Sequence, residues 1–212
     1  MSSYHSYDDV PQGNTYDKYG SRNPVTRLLM RGFARALTEL LEPAAPQSIL
    51  DVGCGEGFMS RRLAEICPDV VGLDLGSGPL VHHWIQARGE RLRFVAGDAA
   101  RLPFKDASFD CVTALEVLEH VERPLDTLRE IARVARRYAV FSVPREPLWR
   151  ILNMARGAYL RDLGNTPGHI NHWSKTAFVA LASSVGVVEE VRSPLPWTMV
   201  RIRVDRARPS TR

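Results

Sequence analysis

The sequence predicts an α/β fold: a mostly parallel sheet of seven strands, with a late antiparallel hairpin and helices on both faces. Between residues 48 and 143, short apolar strand segments alternate with helical segments. That alternation is typical of a parallel sheet whose crossovers are helices. After Pro144 the alternation stops, and two helical segments are followed by two strand segments around Pro194 and Pro196. This last pair would place one antiparallel strand in the sheet.

The first half of the chain begins with a helix and then enters the alternation. Apolar residues recur at helical spacing between Leu28 and Leu40, with Pro24 near the start of that helix and Pro43 beyond its end. The first strand is followed by glycines. Each of the next two strands has an acidic residue at its end or just after it. In chain order the predicted elements are helix 23–41, strand 48–52, helix 58–66, strand 70–75, helix 79–88 and strand 92–96.

The second half continues with a fourth strand, at 109–115, which a helical region is predicted to follow. The next helix is supported by Leu128, Ile131 and Val134, which share one face. Pro144 ends the fifth strand. The remaining predicted elements are helix 125–136, strand 138–143, an amphipathic helix 148–163, helix 176–185 and strands 187–192 and 197–204.

Composition limits the class of protein. With 212 residues, 44% of them hydrophobic, the chain suits one domain with an ordinary core, which we assign to residues 23–212. No apolar stretch is long enough to span a membrane, and residues 1–9 lack the pattern of a secretory signal, so we expect a cytoplasmic protein. The net charge of +4 falls partly on arginines near the C-terminus, which we interpret as a solubilising tail because no aromatic residues interleave with them. These arginines are Arg201, Arg203, Arg206, Arg208 and Arg212.

The three cysteines do not form a metal or disulfide pattern. Cys54, Cys67 and Cys111 are an odd number and have no CxxC spacing. We therefore expect reduced thiols in a reducing compartment.

A glycine-rich loop follows the first strand, in the segment ILDVGCGEG at residues 49–57. Glycines there let the backbone turn sharply and approach a ligand. A nicotinamide-binding fingerprint would need a third glycine where Phe58 stands. Asp51, so close to the loop, would repel a pyrophosphate and suits a ligand that carries an ammonium and a sulfonium group.

Two more acids follow at the ends of the next strands. Asp74 lies 21 residues after Gly53, where a carboxylate can accept hydrogen bonds from both hydroxyls of a ribose. Asp98 follows the third strand, within reach of an adenine amino group. Each acid alone would equally serve as a turn residue or a helix cap. Their order and spacing favour a nucleoside site.

With these motifs the chain resembles the class I methyltransferases that use S-adenosylmethionine (SAM), which have a Rossmann-like fold. The segments that carry the resemblance are ILDVGCGEG, VVGLDLG, AGDAARLPFKDASFDCV and EVLEHV. The run from LPFKDASFDCV to LREIARV is similar to the quinone-biosynthesis group. Gly76 departs from the family, in which a polar residue that can contact the ribose is frequent at this position.

The resemblance implies a set of SAM-binding residues. Asp51, Gly53, Cys54 and Gly55 would lie at the methionine end, and Asp74 would hold the ribose. Asp98 would bind the adenine amino group, with its ring packed on Leu75, Ala99 and Leu115. An N-terminal arm, residues 1–22, would close over SAM through Tyr16 and Tyr19. The full set of predicted SAM-binding residues is Tyr19, Asp51, Gly53, Cys54, Gly55, Asp74, Leu75, Asp98, Ala99 and Leu115.

Acids and histidines form a second constellation. Glu116, Glu119 and His120 are spaced i, i+3 and i+4, so on a helix they would share one face. His169 and His172 follow Gly168 in a later loop. The ExxEH run is similar to that of ubiquinone-biosynthesis O-methyltransferases and of small-RNA 3′-end 2′-O-methyltransferases, whose divalent ion is bound by two glutamates and two histidines.

That resemblance implies a conditional metal site formed by Glu116, Glu119, His120 and His169, suited to Mg²⁺, Mn²⁺, Fe²⁺ or Zn²⁺. His172 departs from the RNA enzymes, which tend to have an acid there. The alternatives stay open: an exposed helix face for Glu119 and His120, and loop-capping roles for both later histidines. Without a metal, His169 or His172 is the candidate general base, and Glu116 is a further catalytic candidate.

The sequence therefore predicts a SAM-dependent methyltransferase that transfers a methyl group to a hydroxyl of a small molecule, with an acceptor lid at about residues 144–174. The alternatives are methylation of nitrogen or carbon, methylation of an RNA ribose, and a SAM-binding partner subunit without catalysis. Nucleic acid is disfavoured because the basic residues form no aromatic-laced stripe. The acceptor's identity and the oligomeric state stay open.

Overall fold

The computed structural model describes residues 22–76 and 78–204. The predicted arm with Tyr16 and Tyr19 lies outside the described residues, as do Arg206, Arg208 and Arg212. The strands are β1 (Ile49–Val52), β2 (Val70–Asp74), β3 (Leu92–Ala96), β4 (Phe109–Leu115), β5 (Ala135–Pro144), β6 (Val187–Arg192) and β7 (Trp197–Arg203). The α-helices are α1 (Pro24–Leu41), α2 (Phe58–Ile66), α3 (Gly78–Ala87), α4 (Pro124–Val134), α5 (Leu148–Ala155) and α6 (Lys175–Ser183).

The seven strands form one sheet in the order β3-β2-β1-β4-β5-β7-β6. The first five strands in that order, from β3 through β2, β1 and β4 to β5, are parallel. Strand β7 pairs antiparallel with both β5 and β6. The predicted α/β fold with a late hairpin is confirmed. Strand order reverses between β1 and β4, so the loops after these two strands diverge and leave a crevice at the carboxyl edge of the sheet.

Helices cover both faces of the sheet because alternate residues of the buried strands point to opposite sides. On one face, Phe33 of α1 and Leu63 of α2 pack with Ile49 of β1. On the other, Ile131 of α4 and Phe178 of α6 share a core cluster with the remaining faces of the strands. The carboxyl edge of the sheet lies between these two layers.

Three predicted helical segments differ from the structure. Residues 116–123 form turns and bends instead of a helix, since Glu116 takes a left-handed φ of 58° and α4 begins only at Pro124. The prediction that the ExxEH run shares a helix face is therefore wrong. The helix predicted at 125–136 ends at Val134, and the two residues after it belong to β5.

The prediction of one helix over residues 148–163 is also wrong, because α5 ends at Ala155. The N–H of Gly157 donates to the carbonyl oxygen of Met154, 2.9 Å away, which tightens the chain after Ala155. A turn of 3₁₀ helix, Leu160–Asp162, follows separately.

Two arginines that the sequence placed in a basic tail belong to β7. Arg201 is buried, and its guanidinium donates to the carbonyl oxygen of Leu40 and lies near Glu189 and Glu190. Arg203 pairs with Glu189 across the hairpin. Their charges are neutralised within the sheet, so they do not extend a free basic tail. In the described part of the chain, no helix is long and apolar enough to cross a membrane.

Candidate active site

The glycine-rich loop turns directly over the end of β2. The N–H groups of Gly53 and Cys54 both donate to the carbonyl oxygen of Leu73, at 2.7 and 3.0 Å. Gly53 takes a φ of 70° and Gly55 a φ of 52°, conformations that side chains rarely allow. A Cβ on Gly55 would have no described atom outside its chain neighbours within 4 Å. The loop therefore presents an open backbone surface that a ligand can approach closely.

Asp74, at the end of β2, is hydrogen bonded to the glycine-rich loop. Its Oδ2 accepts from the N–H of Gly55 at 2.8 Å, and its Oδ1 accepts from the N–H of Leu75 at 2.7 Å. A carboxylate oxygen has more than one lone pair, so both can still accept from ribose hydroxyls. Leu75 beside it is an apolar side chain that is 49% exposed, and its contact with an adenine ring stays a prediction.

Asp51 lies beneath this surface and not on it. It is 2% exposed, and its carboxylate accepts hydrogen bonds from Ser60 Oγ at 2.6 Å and Thr113 Oγ1 at 2.8 Å. Burial raises its pKa to about 6, with Asp74 adding to the shift and the two hydroxyls opposing it. The carboxylate thus links β1, β4 and α2 below the loop. Contact with SAM stays a prediction.

Cys54 does not have the properties of a nucleophile. Burial is the main cause that raises the pKa of its thiol, and the charges of Asp51 and Asp74 add to it. Because a thiolate is the reactive form of cysteine, this thiol stays protonated at neutral pH. Cys54 therefore serves the loop as a small packed side chain.

The remaining predicted cofactor residues lie at the ends of β3 and β4. Asp98 is exposed, and its Oδ1 accepts from the N–H of Ala100 at 2.8 Å. Ala99 and Leu115 are half-buried. With the glycine-rich loop and Asp74 they come from the adjacent strands β3, β2, β1 and β4. The structure thus brings the predicted SAM residues of the described chain to one edge of the sheet.

The second constellation is smaller than predicted. One ligand atom each from Glu119, His120 and His169 lie within 4.8 Å of one another. Glu119 is 1% exposed and His169 8% exposed, while His120 is exposed. Glu116 is not part of this group. Two imidazoles with one carboxylate are a donor set that suits a divalent transition metal.

Backbone hydrogen bonds hold the two loops of this cluster together. The N–H groups of Ile170 and Asn171 both donate to the carbonyl oxygen of Glu119, at 2.9 and 3.1 Å. His120 Nδ1 lies 2.9 Å from the carbonyl oxygen of Gly168. A carbonyl only accepts, so Nδ1 of His120 carries a proton and is the donor in this contact.

His172 lies apart from the cluster on an exposed position. Its Nε2 is 2.7 Å from Asn165 Oδ1, and the amide nitrogen of Asn165 donates to the carbonyl oxygen of His169. Because Oδ1 accepts, His172 donates through Nε2. Asn165 therefore orients both histidine-bearing positions.

Several residues around the site carry no motif in the sequence. Ser60 and Thr113 were missed because a hydroxyl on a helix and one in a strand reveal no partner until the fold pairs them with Asp51. Glu146 was also missed: burial raises its pKa, and in the described structure its Oε1 is buried without a hydrogen-bond partner. The one available signal was its place just after the strand that Pro144 ends.

Comparison with known proteins identifies the family. A model of the methyltransferase domain family Methyltransf_11 matches residues 50–143. A demethylmenaquinone methyltransferase of Paenarthrobacter aurescens is 34% identical over 185 residues, which cover 84% of this chain and 69% of the relative. A demethylmenaquinone methyltransferase of Beutenbergia cavernae is 35% identical, covering 73% and 63%. A ubiquinone biosynthesis O-methyltransferase of Aliivibrio fischeri is 37% identical, covering 42% and 40%.

Solved structures show the same fold at lower identity. Magnesium protoporphyrin IX methyltransferase of Synechocystis with bound SAH has a TM-score of 0.62 at 20% identity, covering 88% of this chain and 90% of that one. A putative SAM-dependent methyltransferase of Listeria monocytogenes has a TM-score of 0.65 at 16% identity, covering 85% and 100%.

The strand order, the glycine-rich loop and the acid after β2 define a class I SAM-dependent methyltransferase domain. The chain belongs to this family, and its sequence relatives place it with the methyltransferases of quinone-biosynthesis type. The chain spans less than two thirds of the length of two of the three relatives named, 63% and 40%.

Proposed function

We propose that this protein transfers a methyl group from SAM to a hydroxyl of a small-molecule acceptor related to quinone precursors. The observation that carries the donor half is the open backbone of Gly55 beside the carboxylate of Asp74. The acceptor half is supported by the acid and histidine cluster and by the ubiquinone biosynthesis O-methyltransferase among the relatives.

SAM supplies an electrophilic methyl group on a sulfonium sulfur, so the acceptor needs alignment and loss of its proton more than covalent help. Asp74 would accept hydrogen bonds from the ribose, and Asp98 from the adenine amino group. Leu75, Ala99 and Leu115 would contact the adenine ring. The loop of Gly53 and Gly55 would lie against the methionine end, with Asp51 beneath it.

For the acceptor we propose a three-ligand metal site of Glu119, His120 and His169. The donor set fits a divalent ion, and backbone hydrogen bonds to Glu119 hold the two loops that carry it side by side. A divalent ion there would lower the pKa of an acceptor hydroxyl bound to it. The four-ligand prediction included Glu116, which the structure does not bring into this group.

His172 is the proposed general base, because its imidazole is exposed and held in orientation by Asn165. Asn165 also lines an open basin of about 470 Å³ with Arg150, Arg161, Asp162, Leu163 and Pro167. This basin belongs to the segment proposed as the acceptor lid. Its arginines would suit an acceptor that carries an acidic group.

The donor is tested by isothermal titration with SAM and SAH. Binding of SAM or SAH supports the proposal. If the protein binds neither ligand, the proposal is refuted. Activity is then measured with labelled SAM against phenolic and quinol acceptors, and NMR of the product distinguishes an O-methyl from an N- or C-methyl group. Binding without transfer to any acceptor, RNA included, would favour the SAM-binding partner subunit.

The metal is tested by metal content and not by activity alone. The purified protein is loaded with Mn²⁺ or Zn²⁺, dialysed and analysed by mass spectrometry. We expect Glu119→Ala and His120→Ala to abolish stoichiometric metal, while His82→Ala, on the exposed surface of α3, serves as the matched control. Equal metal content in all four proteins, with activity unchanged by chelator, would remove the metal from the mechanism and leave His172 as the base.

A further inference from the structure

We propose that Trp84 is a positioning residue for SAM: it orients the Gly55–Glu56 peptide so that the Glu56 N–H faces the carboxylate of the methionine end. The inference rests on the proposed function. It concerns a residue of α3 that no sequence motif of the site includes.

Both polar groups of Gly55 are held by the β2–α3 unit. Its N–H donates to Asp74 Oδ2 at 2.8 Å, and its carbonyl oxygen accepts from Trp84 Nε1 at 2.8 Å. A glycine has no side chain to restrain it, and Gly55 has open space where its Cβ would stand. These two hydrogen bonds therefore restrain its orientation from one side and leave the other side to a ligand.

Trp84 itself is held rigidly. It is 6% exposed, and its ring stacks on Phe94 of β3 with centroids 5.4 Å apart and an interplanar angle of 5°. Phe94 in turn lies so close to Gly57 and Gly72 that a Cβ at either position would come within 2.7 Å of its ring. The indole N–H is thus fixed in place relative to both the sheet and the loop.

The planar peptide bond transmits this restraint to Glu56. In a trans peptide the carbonyl of one residue and the N–H of the next point in opposite directions. Holding the Gly55 carbonyl toward Trp84 therefore directs the Glu56 N–H away from α3. Within the described residues this N–H makes no hydrogen bond. A free backbone N–H on an open glycine loop is a donor for an anionic group, and the anionic group of SAM is its methionine carboxylate.

The test compares two ligands in the full chain by isothermal titration. SAH has the amino-acid end, and 5′-methylthioadenosine has the same nucleoside and sulfur without it. Trp84→Phe removes the indole N–H and keeps an aromatic ring on Phe94. We expect SAH to bind about tenfold more weakly to this variant, the equivalent of one hydrogen bond to a charged group. The affinity for 5′-methylthioadenosine should change less than about threefold, because this ligand lacks the group that the Glu56 N–H binds.

Two controls separate positioning from packing. Trp197→Phe makes the same substitution at a buried indole whose N–H has no partner in the described structure, so affinity for both ligands should stay within about twofold. Benzothienylalanine at position 84, introduced by genetic code expansion, replaces only the indole N–H by sulfur. It should reproduce the selective loss of affinity for SAH.

Equal weakening of both ligands, or no weakening of SAH in either position-84 variant, would overturn the proposal. Failure of the wild-type protein to bind SAH would instead refute the proposed function.

Discussion

The buried carboxyl group of Asp51 makes a measurable prediction about stability. Burial raises its pKa from 3.8 to about 6, so holding it ionised in the folded protein costs about 3 kcal/mol above pH 6 at about 1.36 kcal/mol for each pKa unit. Asp51→Asn replaces the group by a neutral amide of the same shape. It removes that cost, and we take the amide's hydrogen bonds with Ser60 and Thr113 to be about 1 kcal/mol weaker than those of the protonated carboxyl. The net expectation is a gain of about 2 kcal/mol at pH 7.5.

The pH dependence has a definite sign. A raised pKa means that the folded state binds the Asp51 proton more tightly than the unfolded state does, so this group makes the protein less stable as pH rises from about 4 to about 6. Asp51→Asn lacks this titration. The difference in unfolding free energy, variant minus wild type, should grow by about 3 kcal/mol across that window and stay constant above it.

The assay is urea denaturation of both proteins at pH values between 4 and 8, with thermal unfolding as a second readout. About 2 kcal/mol corresponds to roughly 4–8 °C in Tm for a chain of this size. Asp98→Asn, on an exposed turn, is the matched control and should change stability by less than about 0.5 kcal/mol. A variant-minus-wild-type difference that does not change with pH, or a destabilised variant at pH 7.5, would refute the reasoning.

Two glycines and one arginine give further predictions, all measured by urea denaturation. Gly53→Ala should lose roughly 2 kcal/mol or more and its SAM binding, because φ is 70° there and the new Cβ would overlap Val117; wild-type SAM affinity would contradict this. Gly32→Ala in α1, which has open space, should instead gain about 0.5–1 kcal/mol, and a loss would show strain that the structure lacks. Arg133→Met should cost roughly 2–3 kcal/mol, since the guanidinium binds Glu130 and two backbone carbonyls of the β3–β4 connection; a neutral effect would count against this role.

The sequence predicts the fold and the position of Asp74 beside the glycine-rich loop, because both depend on local pattern. Each of the seven predicted strands lies within three residues of its observed ends, since a buried parallel strand is a short apolar run between turn residues. The glycines and the acid after β2 share a fixed spacing because the strand-to-helix turn and the adjacent strand impose it. That spacing is sufficient to predict that Asp74 lies beside the glycine-rich loop.

The acceptor side is harder to predict because it depends on tertiary contacts. The ExxEH spacing fits a helix, yet a left-handed residue at Glu116 converts it into turns. His169 still meets His120, because backbone hydrogen bonds from Ile170 and Asn171 to Glu119 join two loops about 50 residues apart in the sequence. The spacing of apolar residues in the sequence does not predict such a contact between two loops. The prediction of a shared helix face is wrong, and three of the four predicted ligands come together for a different reason.

The closeness of Gly53 to Val117 has a consequence for how this family can diversify. Val117 belongs to the turn that carries Glu116 and Glu119, and its side chain occupies the space that a Cβ on Gly53 would need. The turn proposed to serve the acceptor is thus packed directly on the loop proposed to hold the methyl donor. A larger side chain at position 117 would impair binding of the methyl donor, so we expect new acceptor preferences to arise more easily in the proposed lid around α5 than in this turn. Directed evolution toward other acceptors should accordingly accumulate its changes between residues 145 and 172 and leave Val117 alone.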